Sequence, residues 1–325
     1  MCANFTYTAI MDEIRTDKAY EYIGDDYVHS ANSLFHFVTK SQYLHDDLKR
    51  KALCPRYCNE DIGYLNISYD GRSFSEISVL QKCFCDIPLH NIIKPFPVVL
   101  TENNNTLTEE QRKNIPDQFS HVELYGKYAL AFSKSWGERS KLQPIHYLAN
   151  GSDYVKNFSG MFKSVLAEDD VPDIISDTLL HLMCYFKPLR GTMKRTGTSE
   201  KTGKYVYEIF KNFHDEHEWR YVPFNNHTSD KEYDPVIARE KLVKDSYTLN
   251  IMNNRIQTMA YQHVWLPFQY DDIRYIIVPN NHERIEVIKV IDSLSDDIFN
   301  EDAIDLQKQL LISKILVLDE IERDF

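Results

Sequence analysis

The chain has 325 residues, 43% of them hydrophobic and 26% charged, and a net charge of −12. This is ordinary globular composition; no run of about 18 apolar residues could span a bilayer, and the acidity excludes a surface that is basic throughout, as a nucleic-acid platform would be. Six cysteines are too few for a disulfide scaffold, and the start, Met1 to Ile14, lacks the basic and apolar segments of a secretory signal, so a reducing cytoplasm is the expected location.

At this length a core with a helical appendage is expected. Residues 1–30 are acidic and tyrosine-rich with weak helical spacing, and they read as a leading helical extension. The aromatic and β-branched run Leu34 to Val38 (LFHFV) predicts a strand. Thr39-Lys40-Ser41 then starts a helix carrying Leu44, Leu48 and Ala52 at i+4 spacing. Pro55 closes that helix, and RYCNED, 56–61, reads as a loop. Residues 80–87 (LQKCFCDI) predict a second strand stopped by Pro88, residues 102–117 an exposed insertion, and 124–132 and 144–148 two further strands. Apolar spacing over 153–184 suits amphipathic helices laid over the sheet.

Residues 187–204 (KPLRGTMKRTGTSEKTGK) hold six bases against the single acid Glu200. They read as a solvated loop or as a contact for the phosphates of a nucleotide or an RNA. β-Type composition returns over 205–224, 235–244 looks helical, and IRYIIV, 273–278, predicts a strand. From Glu283 the pattern is helical, and residues 291–325 carry ten acids against three bases, either a partner surface or a plain solvated face. With only 10 glycines and neither G-x-x-x-x-G-K-[ST] nor a strand-linked G-x-G-x-x-G, P-loop and Rossmann enzymes are disfavoured.

The segment FHDEHEWRYVP, 213–223, carries the most chemistry. A period of two places Glu216, Glu218 and Arg220 on one face of a strand and His217, Trp219 and Tyr221 on the other. Two carboxylates roughly 7 Å apart suit glycosidic-bond cleavage: one stabilises an oxocarbenium-like charge while the other orients the nucleophile. Arg220 would hold the acids or meet a phosphate. An exposed Glu/Arg ladder on an edge strand, or a glycoside or nucleoside hydrolase, fits the same pattern. His36, sharing a face with Leu34 and Val38, is either a hydrogen-bonded core residue or a donor to a ribose hydroxyl or a carboxamide. Tyr125 and Tyr128 either pack in the core or stack on nicotinamide or adenine. Cys54, Cys58, Cys83 and Cys85 could give four thiolates to zinc, although small buried thiols explain them more simply. His214 and His217 lack zinc-protease spacing, and no G-x-S-x-G supports acyl transfer.

In their shared order, LFHFVTK, PRYCNED, CFCDIPL, YGKYALAF, FHDEHEWRYVPF and DIRYIIV resemble the AbiGi family of abortive-infection proteins over most of residues 33–325. That family is similar in motif layout to the ADP-ribosyltransferases. The resemblance implies an α+β fold: an ADP-ribosyltransferase-like split mixed β-sheet core over 31–280 with helical insertions, and C-terminal helices, 281–325, packed on it. It implies an NAD site with His36 on the first strand, Tyr125 or Tyr128 in the middle, Glu218 as the catalytic acid and Glu216 as its pair. Thr39, Arg56, Phe84 and Arg220 are the further NAD-binding positions. Cys83-Phe84-Cys85 stands where one subgroup carries a Ser-Thr-Ser-like motif. The function so implied is an NAD-dependent toxin of anti-phage defence, without a metal, that transfers ADP-ribose to RNA or DNA bases. A cognate antitoxin, with or without a chaperone, would be its partner; a non-enzymatic antitoxin or regulatory binding protein is the alternative.

Overall fold

The computed structural model describes residues 30–69, 72–102, 104, 106–168, 170–199, 203–224, 233–238, 246–299 and 303–324. The expected N-terminal extension lies outside them except for Ser30. Alternation builds the centre of the sheet: β1 (Ser33–Val38) buries Leu34 and His36 on one face and Phe35 on the other. Helix α1 (Ser41–Arg50) turns Leu44 and Leu48, four apart, toward the core, and it ends at Lys51 in the left-handed region rather than at Pro55.

The remaining elements that position the site are β2 (Arg56–Asp61), β3 (Glu76–Cys85), α2 (His121–Tyr125) and β4 (Tyr128–Ser133). They are followed by α3 (Asp153–Ala167), α4 (Asp173–Cys184), β5 (Arg190–Ser199), β6 (Gly203–Asn212), β7 (Glu218–Tyr221), β8 (Val236–Ala238) and β9 (Ile273–Val278). Helices α5 (Asn281–Asp292) and α6 (Ile304–Ser313) precede β10 (Ile315–Val317).

The main sheet runs from a short strand, Gln143–Pro144, through β7, β3, β1, β4 and β9 to β10. Its pairings are antiparallel except β9 with β10, so the α+β architecture has a mixed sheet. One face, with Leu34, Leu130, Ile276 and Val278, is covered by Leu44 and Leu48 of α1, Val287 and Ile291 of α5, and Leu311 of α6. The other packs Phe35, Ala129, Ala131 and Ile277 against Ile92, Val122 and Leu318. Helices α3 and α4 cover the far end, with Phe158, Phe162 and Leu179 against Ile77 and Val79.

The sheet divides at one seam. β1 pairs with β4 from Ser33 to Val38 but with β3 only at Phe35 and Cys85. β2 takes the rest of that edge of β3, from Arg56 opposite Gln81 to Asp61 opposite Glu76. The two edges of β3 can be told apart because successive residues of a strand aim their backbone groups to opposite sides. The Cys83 carbonyl turns to the His36 ring, while the Leu80 N–H donates to the Pro235 carbonyl beside β8. Beyond Phe35, therefore, the end of β1 leaves β3 and a gap opens between them.

Several local expectations are corrected. RYCNED is strand β2, not a loop: only Tyr57 is fully buried, and six residue pairs with β3 outweigh the polar composition. The strand expected over 124–132 begins only at Tyr128, because a Ser120–Glu123 capping box makes 121–125 a helix. The basic segment read as a loop forms β5 and the start of β6, an antiparallel pair of ten residue rows, with 200–202 outside the described residues. The helix expected over 235–244 is strand β8 at 236–238, paired with β3, and 239–245 fall outside the described residues. The C-terminal helical run is broken by β10, whose Ile315 and Val317 are buried beside β9.

Candidate functional site

Glu218 and Arg220 share one face of β7, as the strand period requires. Glu216 does not belong to that strand. It ends a 3-10 turn, His214–Glu216, which His217 closes in the left-handed region at φ 44°, a conformation that histidine tolerates better than bulkier residues. The turn nevertheless brings the two carboxylates to one cation: Lys187 Nζ lies 2.8 Å from Glu216 Oε2 and 2.8 Å from Glu218 Oε2.

Every carboxylate oxygen of the pair is engaged. Lys211 donates to Glu216 Oε1 at 2.6 Å, and the Tyr125 hydroxyl donates to the same oxygen. Arg220 Nε donates to Glu218 Oε1 at 2.6 Å, its Nη2 meets Glu60 at 3.0 Å, and its Nη1 donates to the Cys184 carbonyl at 2.7 Å. Three carboxylates (Glu60, Glu216, Glu218) thus meet three cations (Lys187, Lys211, Arg220), and the network is formally neutral. Glu216 is 3% exposed, Glu218 4% and Arg220 0%, which rules out the exposed edge ladder. Burial alone would raise both glutamates. Arg220 and Lys187 overcome it at Glu218 and hold that carboxyl far below its usual range, and Lys187 with Lys211 overcomes it at Glu216, whose carboxyl is lowered.

The gap between β1 and β3 forms a second feature, a cleft of about 200 Å³ lined by His36, Thr39, Asp47, Arg50, Arg56, Lys82 and Tyr125 among others. Four of the expected NAD-binding residues, His36, Thr39, Arg56 and Tyr125, therefore meet here. The His36 Nδ1 lies 2.9 Å from the Cys83 carbonyl, and burial, followed by the Lys82 charge, lowers its pKa. In the neutral ring Nδ1–H then donates to that carbonyl, and the buried Nε2, without a partner among the described residues, is an acceptor rather than the expected donor. Burial pushes the Asp47 carboxyl up to about 6 against the pull of Lys82 and Arg50.

The expected convergence of His36, Tyr125 and Tyr128 on Glu218 is not found: none of the three bonds Glu218, and only Tyr125 reaches the carboxylate pair, at Glu216. Phe35, Cys85 and Glu218 are cross-strand neighbours on one face, so His36 projects from the opposite face. Tyr125 is the link: it lines the cleft, and its hydroxyl bonds Glu216. Tyr128 bonds Ser41 and Glu283, away from both features. Phe84 is fully buried against Phe132 and Trp136, its ring 5.6 Å from that of His36, and Arg220 serves the carboxylates on the far face.

Lys187 and Lys211 were not foreseen as site residues. Lys187 stood at the head of a segment that read as solvated, but Lys211 left a signal: it lies at an inward position of β6, two residues from Ile209 and from Phe213, where an unpaired lysine would be costly. Among the described residues no group of three or more His, Cys, Asp or Glu side chains is placed to hold a metal ion, and no helix is long and apolar enough to cross a membrane.

The family model "Putative abortive phage resistance protein AbiGi, antitoxin" matches residues 114–279, the stretch that holds Tyr125, Lys187, Lys211 and the β7 carboxylate. The abortive phage resistance protein AbiGi of Lactococcus lactis subsp. cremoris is 31% identical over 284 residues, which cover 84% of this chain and 100% of that protein. No solved structure matches the chain. With the relative covered from end to end and the family model lying across the buried carboxylates, the chain belongs to the AbiGi family of abortive phage resistance proteins.

Proposed function

We propose that this phage-defence protein is an NAD-dependent ADP-ribosyltransferase whose cleft between β1 and β3 takes part of the dinucleotide. One observation carries the reading: Tyr125 lines the cleft beside His36, Thr39 and Arg56 and bonds the buried Glu216–Glu218 pair through its hydroxyl. NAD carries two phosphates, and Arg50, Arg56 and Lys82 supply cations for them at the cleft. When the bond between ribose and nicotinamide breaks, positive charge develops on the sugar, and the carboxylates behind Tyr125 stabilise it while an acceptor, a nucleic-acid base, attacks the same carbon and releases a proton. At about 200 Å³ the cleft is smaller than the roughly 300–1,000 Å³ usual for a drug-sized ligand, so the rest of the dinucleotide would lie outside its lips.

A non-catalytic antitoxin or binding module is the second reading. It is favoured by the saturation of all four carboxylate oxygens and by the family's description as an antitoxin. Labelled NAD and cell extract separate the two. Under the transferase reading the wild type passes label to nucleic acid, and Glu218→Gln lowers this by about 100-fold or more. Tyr125→Phe, which removes one hydroxyl and keeps the ring packing, also lowers it. If neither transfer nor NAD hydrolysis depends on Glu218 or Tyr125, the enzyme reading is wrong and the binding module stands.

A further inference from the structure

The segment with the strongest basic bias forms a sheet of its own. β5 and β6 pair over ten rows, and Val99–Leu100 adds a third strand beside Ile209 and Phe210. Its inner face is accounted for. Tyr207 and Ile209 pack with Leu124, Phe119, Val98 and Leu107, and the Arg195 guanidinium is held by the Leu124 and Glu123 carbonyls.

The outer face is of another kind. Arg190, Lys194 and Lys204 are exposed on it together with Thr192, Thr196 and Thr198, against one acid, Glu208. Three large apolar side chains stand among these cations: Phe210 is 40% exposed, Val206 61% and Val99 64%. The register sets Phe210 between Thr192 and Val99 across the three strands. In a chain with a net charge of −12, a face with three cations and one acid is a local reversal of sign, complementary to a polyanion. An exposed aromatic ring within it has no use for phosphates and is suited to the face of an unstacked base.

We propose that this outer face binds single-stranded nucleic acid, with phosphates on Arg190, Lys194 and Lys204 and a base stacked on Phe210. The base of the hairpin leads to the carboxylates, since Lys211 lies in β6 and Lys187 just precedes β5. A strand laid on this face is thereby directed toward Glu216. Its role as acceptor rests on the transferase reading, whereas the binding itself does not.

The test is fluorescence anisotropy with a short labelled RNA, the same sequence as single-stranded DNA, and its duplex, all without NAD. Wild type is expected to bind either single strand more tightly than the duplex. Phe210→Ala should weaken binding about 5-fold or more, the loss of one stacked base. The double variant Lys194→Glu/Lys204→Glu should weaken it about 10-fold or more at low salt and flatten its salt dependence. Lys289→Glu on α5 makes the same kind of charge change at an unrelated exposed site and should stay within about 2-fold of wild type. Thermal unfolding midpoints matching wild type establish that the variants are folded. Absence of single-strand binding, a preference for duplex, or an equal loss in Lys289→Glu overturns the proposal. Anisotropy of all three labelled nucleic acids left unchanged by the protein overturns the proposal and leaves a protein as the occupant to seek for this face. Because NAD is absent, failure here leaves the transferase reading intact, and failure of transfer leaves this binding intact.

Discussion

Lys187 reaches Glu216 and Glu218 with two 2.8 Å contacts from a single ammonium group, so deleting it leaves two carboxylates facing one another with almost no solvent. Lys187→Met is expected to lose about 3–5 kcal/mol in chemical denaturation at neutral pH. The pH dependence of the network follows from its sign. Both glutamates titrate lower in the folded chain than in the unfolded one, so their contribution is full above the unfolded carboxylate value, about 4.3, and is lost as pH falls through the folded values. Asp47 behaves in the opposite way. Its folded value is raised to about 6, so the stability linked to it is present below about 3.9 and is lost as pH rises through the folded value. Asp47→Asn should therefore be more stable than wild type by up to roughly 3 kcal/mol at pH about 8, with the gain fading toward pH 4. A gain that does not change between the two pH values would show that Asp47 is not desolvated.

Gly126 sits between α2 and β4 at φ 126°, and a Cβ there would overlap the Val38 carbonyl at the end of β1. Gly126→Ala is expected to cost about 3 kcal/mol or more, from backbone strain and collision together, read as a lowered unfolding midpoint and soluble yield. Legibility in the sequence followed the same local logic. LFHFV and IRYIIV showed themselves as strands because short aromatic and β-branched runs buried on both faces leave no other reading, and 153–184 showed as helices because their apolar spacing follows the helical period. RYCNED, the basic hairpin and the three residues of β10 stayed hidden because their conformation comes from a partner strand far along the chain. At the site, the acids and arginine of β7 were visible as residue types, and their shared face held for Glu218 and Arg220. Their neutralisation was not visible, since Lys187 and Lys211 arrive from other strands. The meeting of His36, Arg56 and Tyr125 depends on where two strands part, and no local pattern encodes that.

Across the whole molecule, one half of the main sheet, β1, β4, β9 and β10, joins the other, β2, β3, β7 and β8, through Phe35 and Cys85. Phe35 is 1% exposed at that junction. Phe35→Ala should cost about 3–5 kcal/mol, and hydrogen exchange by mass spectrometry should show β2 and β3 losing protection at lower denaturant than β4 and β9. Simultaneous loss in both halves would mean that the junction is not a weak point. The single shared pair also makes the width of the cleft an angular quantity. Thr39 lies four residues beyond Phe35, roughly 13 Å along the strand; a rotation of about 10° around the junction carries it roughly 2 Å from β3. That is enough to bring a guanidinium into or out of reach of a phosphate. The opening is a caliper whose jaws are the two halves of the sheet, and its span is set by the angle at the pivot.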